Sequence, residues 1–189
     1  MSRSSHSVPL MRLIRRLGDG PLLGAEVGVW FGVNADIILQ TMPNVSLHLI
    51  DSWDMGGGTT MQGRPLRDWE AAYRAAQGVA DRYPDRTRLI RAFSVDAARC
   101  AADGSLDFVF IDADHGYDGI RDDVRLWWPK IRIGGLFSGH DYRHHKNKTG
   151  EFGVKRAVDE FAIECGHVVR LTRGSVWYWI KEKERCGLS

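Results

Sequence analysis

The sequence predicts a three-layer α/β sandwich around a mostly parallel, seven-stranded sheet. Three observations predict it. Short apolar runs alternate with helical segments along the chain, as parallel βαβ units require. Leu106–Ile111 (LDFVFI) is almost wholly apolar, the pattern of a strand buried on both faces. Two apolar runs flank Arg173-Gly174 near the end, so a C-terminal hairpin supplies one antiparallel strand.

The elements follow in order. Residues 8–17 carry apolar positions at helical spacing with arginines opposite, and Gly18–Gly24 reads as a turn. Ala25–Val29 is the first strand, Asn34–Gln40 a helix and Ser46–Ile50 the second strand, ending on Asp51. Residues 52–65 are glycine-rich and read as a mobile loop. Leu66–Arg82 is helical, Thr87–Ile90 a strand and Val95–Ala102 a short helix. After the fourth strand, Tyr117–Ile131 is an amphipathic helix that stops before Gly134-Gly135, and Gly135–Ser138 opens the fifth strand. Residues 143–152 form a polar loop, and Val154–Cys165 is a helix ending at Gly166. His167–Leu171 and Val176–Ile180 make the hairpin. We divide the chain into an N-terminal helical segment (1–24), one domain (25–182) and a tail (183–189).

The 189 residues suit one domain, and 43% hydrophobic with 26% charged residues is ordinary globular composition. A net charge of +2 argues against a dedicated nucleic-acid binder. There is no apolar run of bilayer length, and the polar start lacks the core of a signal peptide. A cytoplasmic protein without a membrane partner is expected. Cys100, Cys165 and Cys186 are widely spaced and form no C-x-x-C pair, so reduced thiols are expected.

Ligands of such sheets bind beyond the carboxyl ends of the strands. The first strand runs into Glu26-Val-Gly28-Val-Trp-Phe-Gly32. Trp30 stands where a dinucleotide fingerprint has its second glycine, the one that lets backbone approach a pyrophosphate. A cofactor without a diphosphate suits it better. Asp51 ends the second strand, where a carboxylate can accept hydrogen bonds from ribose hydroxyls. A strand-terminal aspartate also serves as a plain cap or a solvated group.

Further on come Asp112-Ala-Asp114-His115-Gly-Tyr117, then Asp122-Asp123, Trp127-Trp128-Pro129, Gly134-Gly135 and Gly139-His140-Asp141-Tyr142. Adjacent parallel strands lie roughly 5 Å apart. Asp112 after strand four and His140-Asp141 after strand five can therefore converge at one edge. Carboxylates with one imidazole suit a hard or borderline divalent ion. Nearby features have plainer readings. His115 could cap a helix, Asp114 caps the helix at Tyr117, and Asp122 and Asp123 are solvated or paired with Arg121 or Arg125. Trp127 and Trp128 pack, and Arg143–Lys148 is a solvated loop.

With the Glu26–Gly32 loop and Asp51, these motifs resemble the methyltransferase domain 24 group of class I S-adenosylmethionine (SAM)-dependent methyltransferases. The resemblance covers residues 25 to about 165 and implies a Rossmann-like fold. It implies that Glu26, Gly28 and Gly32 line the methionine part of SAM. It further implies that Asp51 holds the ribose, that Ser94 lies near the adenine, and that Asp112 borders the cofactor. The group is similar to metal-dependent small-molecule O-methyltransferases. That likeness implies a divalent metal, Mg²⁺ or Mn²⁺, on Asp112, His140 and Asp141, with His140 departing from the usual oxygen ligand. His115 is the expected general base toward the hydroxyl of a small-molecule acceptor. The short N-terminal helix is a small cap, so a homodimer is one way to complete the pocket. Two alternatives stay open at this point: a dinucleotide-dependent oxidoreductase, and a non-catalytic SAM-binding or partner-binding module.

Overall fold

The computed structural model describes residues 6–53, 66–143, 146–147, 150–151, 153–172 and 174–182. The loop read at 52–65 falls almost entirely outside these residues, as does the tail at 183–189. Helix α1 (Ser7–Ile14) continues into a 3₁₀ turn, Arg15–Leu17. The sheet strands are β1 (Leu22–Val27), β2 (Val45–Asp51), β3 (Thr87–Arg91), β4 (Leu106–Ile111), β5 (Ile131–Gly139), β6 (Arg170–Leu171) and β7 (Trp177–Ile180). The other helices are α2 (Val33–Thr41), α3 (Leu66–Arg82), α4 (Ser94–Cys100), α5 (Tyr117–Trp127) and α6 (Val154–Cys165).

The seven strands run in the order β3-β2-β1-β4-β5-β7-β6. Strands β1 to β5 are parallel, and β7 inserts antiparallel between β5 and β6. The expected sheet, with its one antiparallel strand from a terminal hairpin, is the observed one. Side chains of α1, α2 and α3 bury one face, and those of α4, α5 and α6 bury the other. Strand β4 feeds both layers: Phe108 and Phe110 point into the first, Val109 and Ile111 into the second. Helix α1 is part of the first layer, with Leu10 and Ile14 fully buried.

Several details differ from the sequence reading. Strand β1 starts at Leu22, not Ala25, and includes Gly24. A Cβ on Gly24 would lie 2.1 Å from the Phe108 ring, so this glycine makes room for a neighbouring strand instead of turning the chain. Helix α5 stops at Trp127, because Pro129 shapes a 3₁₀ turn over Trp128–Lys130, and Ile131 already belongs to β5. In the polar loop, Lys146–Asn147 pairs antiparallel with Gly150–Glu151. Cys165 is disulfide-bonded, against the expectation of reduced thiols, whereas Cys100 is free. The buried Lys181 ammonium donates to the carbonyls of Ile131 (2.6 Å) and Trp128 (3.3 Å), tying the end of β7 to the start of β5.

Candidate active site

The strand order reverses between β1 and β4, so a crevice opens beyond their carboxyl ends. Gly28 leaves β1 at φ +91°, and its amide donates to the Ile50 carbonyl at 2.8 Å. A Cβ there would lie 2.3 Å from the Asp112 carbonyl oxygen, so only glycine lets the two strand ends meet. Gly32 sits at φ +75° immediately before α2, and a Cβ would press on Val79 of α3 at 3.0 Å. Its lack of a side chain therefore serves helix packing as well as the loop.

Two carboxylates flank this loop. Glu26 is buried at 3% exposure and faces the buried Asn34 amide. Its Oε2 and both polar atoms of that amide make no aligned hydrogen bond. Burial pushes the Glu26 carboxyl up to about 8. Asp51 latches backbone: Oδ2 accepts from the Trp30 amide at 2.8 Å and Oδ1 from the Trp53 amide at 2.9 Å. The indole of Trp53 in turn donates to the Trp30 carbonyl at 2.9 Å. Both tryptophans are held at positive φ, 52° and 40°. Burial raises the Asp51 carboxyl, while the backbone amides work the other way.

Beyond β4 and β5 the polar groups converge differently. The backbone is set first: the Asp112 amide donates to the Val27 carbonyl at 2.7 Å and the His140 amide to the Ile111 carbonyl at 3.0 Å. The His115 carbonyl accepts from the Gly153 amide at 2.8 Å, which ties its loop to the start of α6. His115 Nε2 then lies 2.9 Å from Asp141 Oδ2 and 3.5 Å from Asp112 Oδ1. His140 Nδ1 lies 3.5 Å from Asp112 Oδ1 and 3.6 Å from Asp141 Oδ1. Asp141 sits at φ 54°, and the Arg143 guanidinium is 2.6 Å from its Oδ1.

Burial alone would raise both carboxyls, but hydrogen bonds from His115 and His140 carry Asp112 and Asp141 below their ordinary values. Burial opposes protonation of the histidines. The two carboxylates still push His115 up to about 9 and His140 up to about 10.

One member of this cluster has no counterpart in the sequence reading. His6, just ahead of α1, brings Nε2 to 3.9 Å from Asp112 Oδ2, and its ring centroid lies 4.5 Å from that of His140. Two trios have ligand atoms all within 4.8 Å of one another: His6, Asp112 and His140, and Asp112, His115 and Asp141. The expected metal trio Asp112, His140 and Asp141 is thus divided between them, with Asp112 in both. No local signal marks His6; a polar residue before a helix is ordinary.

Ser94 opens α4 after β3. Its hydroxyl donates to Asp123 and accepts from the Trp127 indole at 2.8 Å, joining α4 to α5. Asp123, expected to be solvated or paired with an arginine, is 3% exposed, and burial pushes its carboxyl up to about 7. Its place on the face of Ile120, Val124 and Trp127 is the signal that could have found it. Asp122 does pair with Arg121, at 2.9 Å. Asp114 accepts from the Gly116 amide at 2.8 Å, just ahead of α5. Trp127 and Trp128 are buried in the core.

A family model described as a methyltransferase domain matches residues 25–142, more than half of the chain. The chain belongs to the methyltransferase domain family. It is a class I SAM-dependent methyltransferase. The methyltransferase is similar in structure to a candidate caffeoyl-CoA O-methyltransferase from Staphylococcus aureus, with TM-score 0.69 and 15% identity over 96% of this chain and 85% of that one. It is also similar to the 1,6-didemethyltoxoflavin-N1-methyltransferase of Burkholderia thailandensis, solved with its substrate and S-adenosylhomocysteine. There the TM-score is 0.62 and the identity 10%, over 95% and 80% of the chains. A candidate sarcosine dimethylglycine methyltransferase from Galdieria sulphuraria matches with TM-score 0.53 and 14% identity over 71% of this chain. The match spans 46% of the Galdieria protein's length. At these identities the likenesses show the fold alone. No curated protein sequence matches this one. Among the described residues, no helix is long and apolar enough to cross a membrane.

Proposed function

We propose that this methyltransferase moves the SAM methyl group to a hydroxyl of a small molecule, such as a sugar or polyketide, with a divalent ion at the β4–β5 edge. One observation carries the reading. Asp112 belongs to both halves of the crevice: its carbonyl is the atom that only a glycine at position 28 can approach, while its carboxylate faces His115 and His140.

The cofactor end fits SAM. The Glu26 Oε2, buried without an aligned hydrogen bond, is a counter-charge for the amino group of the methionine moiety. Gly28 and Gly32 shape the loop beside it. Asp51 keeps acceptor capacity for ribose hydroxyls, since a carboxylate offers about four lone-pair sites and two are engaged by backbone amides. Ser94 reaches the adenine only through its backbone, its hydroxyl being committed to Asp123 and Trp127. The Trp30 amide, at the position of the second fingerprint glycine, already serves Asp51 and is not offered to a pyrophosphate.

The reactive end fits a cation and a base. Asp112, His140 and Asp141 would hold the ion, which when bound lowers the pKa of an acceptor hydroxyl. Asp141 orients the His115 ring through Nε2, and the neutral imidazole, reached once a bound cation offsets the carboxylates that hold its proton, takes the hydroxyl proton at its other ring nitrogen. The sulfonium is already activated, so the chain's main contributions are alignment and exclusion of water.

Chelator-stripped protein tests the reading. It should lose methyl transfer to hydroxyl acceptors and keep S-adenosylhomocysteine binding. Full turnover without metal would remove the ion from the account.

A further inference from the structure

We propose that His6 completes a metal site with Asp112 and His140, and that this site takes an imidazole-preferring divalent ion such as Ni²⁺, Co²⁺ or Zn²⁺ in preference to Mg²⁺. The inference deepens the functional reading and rests on its assignment of Asp112 and His140 as ligands.

The family match begins at residue 25, so His6 lies outside the matched residues. Its position is well anchored. Ser7, Leu10, Met11, Leu13 and Ile14 of α1 are all buried, and the His6 carbonyl accepts the first helical hydrogen bond, from Leu10, at 3.0 Å. The imidazole is backed by Phe110 of β4, with ring centroids 5.3 Å apart. Three separate pieces of chain, the lead into α1, the end of β4 and the end of β5, thus deliver one ligand atom each to a common point. The three side chains are 15%, 20% and 16% exposed, shielded yet reachable by an ion.

The donor set decides the ion. Two imidazoles and one carboxylate favour the transition metals toward the Cu²⁺ and Zn²⁺ end of the stability order, whereas Mg²⁺ demands oxygen ligands. The rival trio is worse placed for a cation. Asp141 already has the Arg143 guanidinium at 2.6 Å from Oδ1 and His115 at 2.9 Å from Oδ2. Among the described residues, the ion partners of Asp112 are the histidines His6, His115 and His140. An ion on His6, Asp112 and His140 leaves the His115–Asp141 contact intact for proton transfer. It also fastens the N-terminal helix across the site.

The experiment uses the full chain, stripped with chelator and titrated calorimetrically with Zn²⁺ and with Mg²⁺. Wild type should bind one Zn²⁺ far more tightly than Mg²⁺. Loss of an outer-shell partner of a metal typically costs about 10- to 100-fold in affinity, so loss of a direct ligand should weaken Zn²⁺ at least about tenfold. His6→Ala should show that loss with Mg²⁺ affinity unchanged. His6→Phe, which keeps the ring contacts with Phe110 and His140 but has no nitrogen, should show the same loss with native thermal stability. In ¹⁵N-labelled wild type, the ring nitrogen signals of His6 and His140 should move on Zn²⁺ addition. Unchanged Zn²⁺ affinity in both His6 variants, with an unmoved His6 signal, overturns the proposal. If Asp112→Asn abolishes binding while the His6 variants do not, only the role of His6 falls. If Asp112→Asn also binds normally, the metal part of the functional reading falls with it.

Discussion

The carboxylates beyond β1 and β2 and those beyond β4 and β5 share one edge of the sheet but have opposite electrostatics. Glu26 and Asp51 are raised by burial, and the groups that hold them are neutral amides. Asp112 and Asp141 are lowered, because histidines face them at hydrogen-bonding range. The first pair has room for a cation that arrives with a ligand. The second pair already has internal cations, which an incoming ion or a proton transfer must replace. Groups whose surroundings push their pKa values apart are the ones to which different roles are assigned.

The hardest way to break this contrast is at the point where the two regions touch. Gly28→Ala puts a Cβ against the Asp112 carbonyl at a backbone angle that L-residues rarely adopt. It should cost about 3 kcal/mol or more of stability, read from denaturant unfolding, and should abolish cofactor binding and catalysis together. A folded Gly28→Ala protein with normal cofactor affinity would separate the regions after all.

A cleaner cut removes one region's chemistry alone. His115→Ala should lower kcat by about 10²- to 10⁴-fold and leave S-adenosylhomocysteine affinity unchanged. Equal losses in both would make His115 a structural cap of its loop.

The last effect, on stability alone, concerns a carboxylate outside both regions. Asp123 is raised to about 7 from its model-compound value of 3.8. The native carboxyl therefore keeps its proton where the unfolded chain has lost it. The Asp123 contribution to stability falls as pH rises from about 4 to about 7, by up to about 1.4 kcal/mol per pH unit, and is level on either side. Asp123→Asn should flatten that slope in urea unfolding measured across pH. An unchanged slope would assign the pH dependence to other groups.

Much of the frame was legible because its signals are local. The bounds of α3, β4 and α6 agree with the sequence reading, since each is a strongly patterned run between clear stops. What failed was set by distant residues. Gly24 reads locally as a turn, but the Phe108 ring occupies its side-chain space. Asp123 reads as solvated by its charge, but its place on an apolar face buries it. In the site, Asp112, His140 and Asp141 are legible from spacing, since they follow the ends of β4 and β5, and His115 from its place on the loop after Asp112. Their pairing was not legible, and neither was His6, which is far away in sequence and reaches the cluster only through the packing of α1. The Asp51 latch on Trp30 and Trp53 likewise depends on two residues held at positive φ, which no local pattern announces.

The central claim is that the β1–β2 end seats SAM, and calorimetry tests it most directly. Titration of S-adenosylhomocysteine into the chain should show one-to-one binding. Asp51→Ala should weaken it about 10- to 100-fold, the worth of about 1.5–3 kcal/mol for hydrogen bonds to a charged acceptor. NAD should show no heat of binding. Saturable binding of NAD with none of S-adenosylhomocysteine would contradict the account.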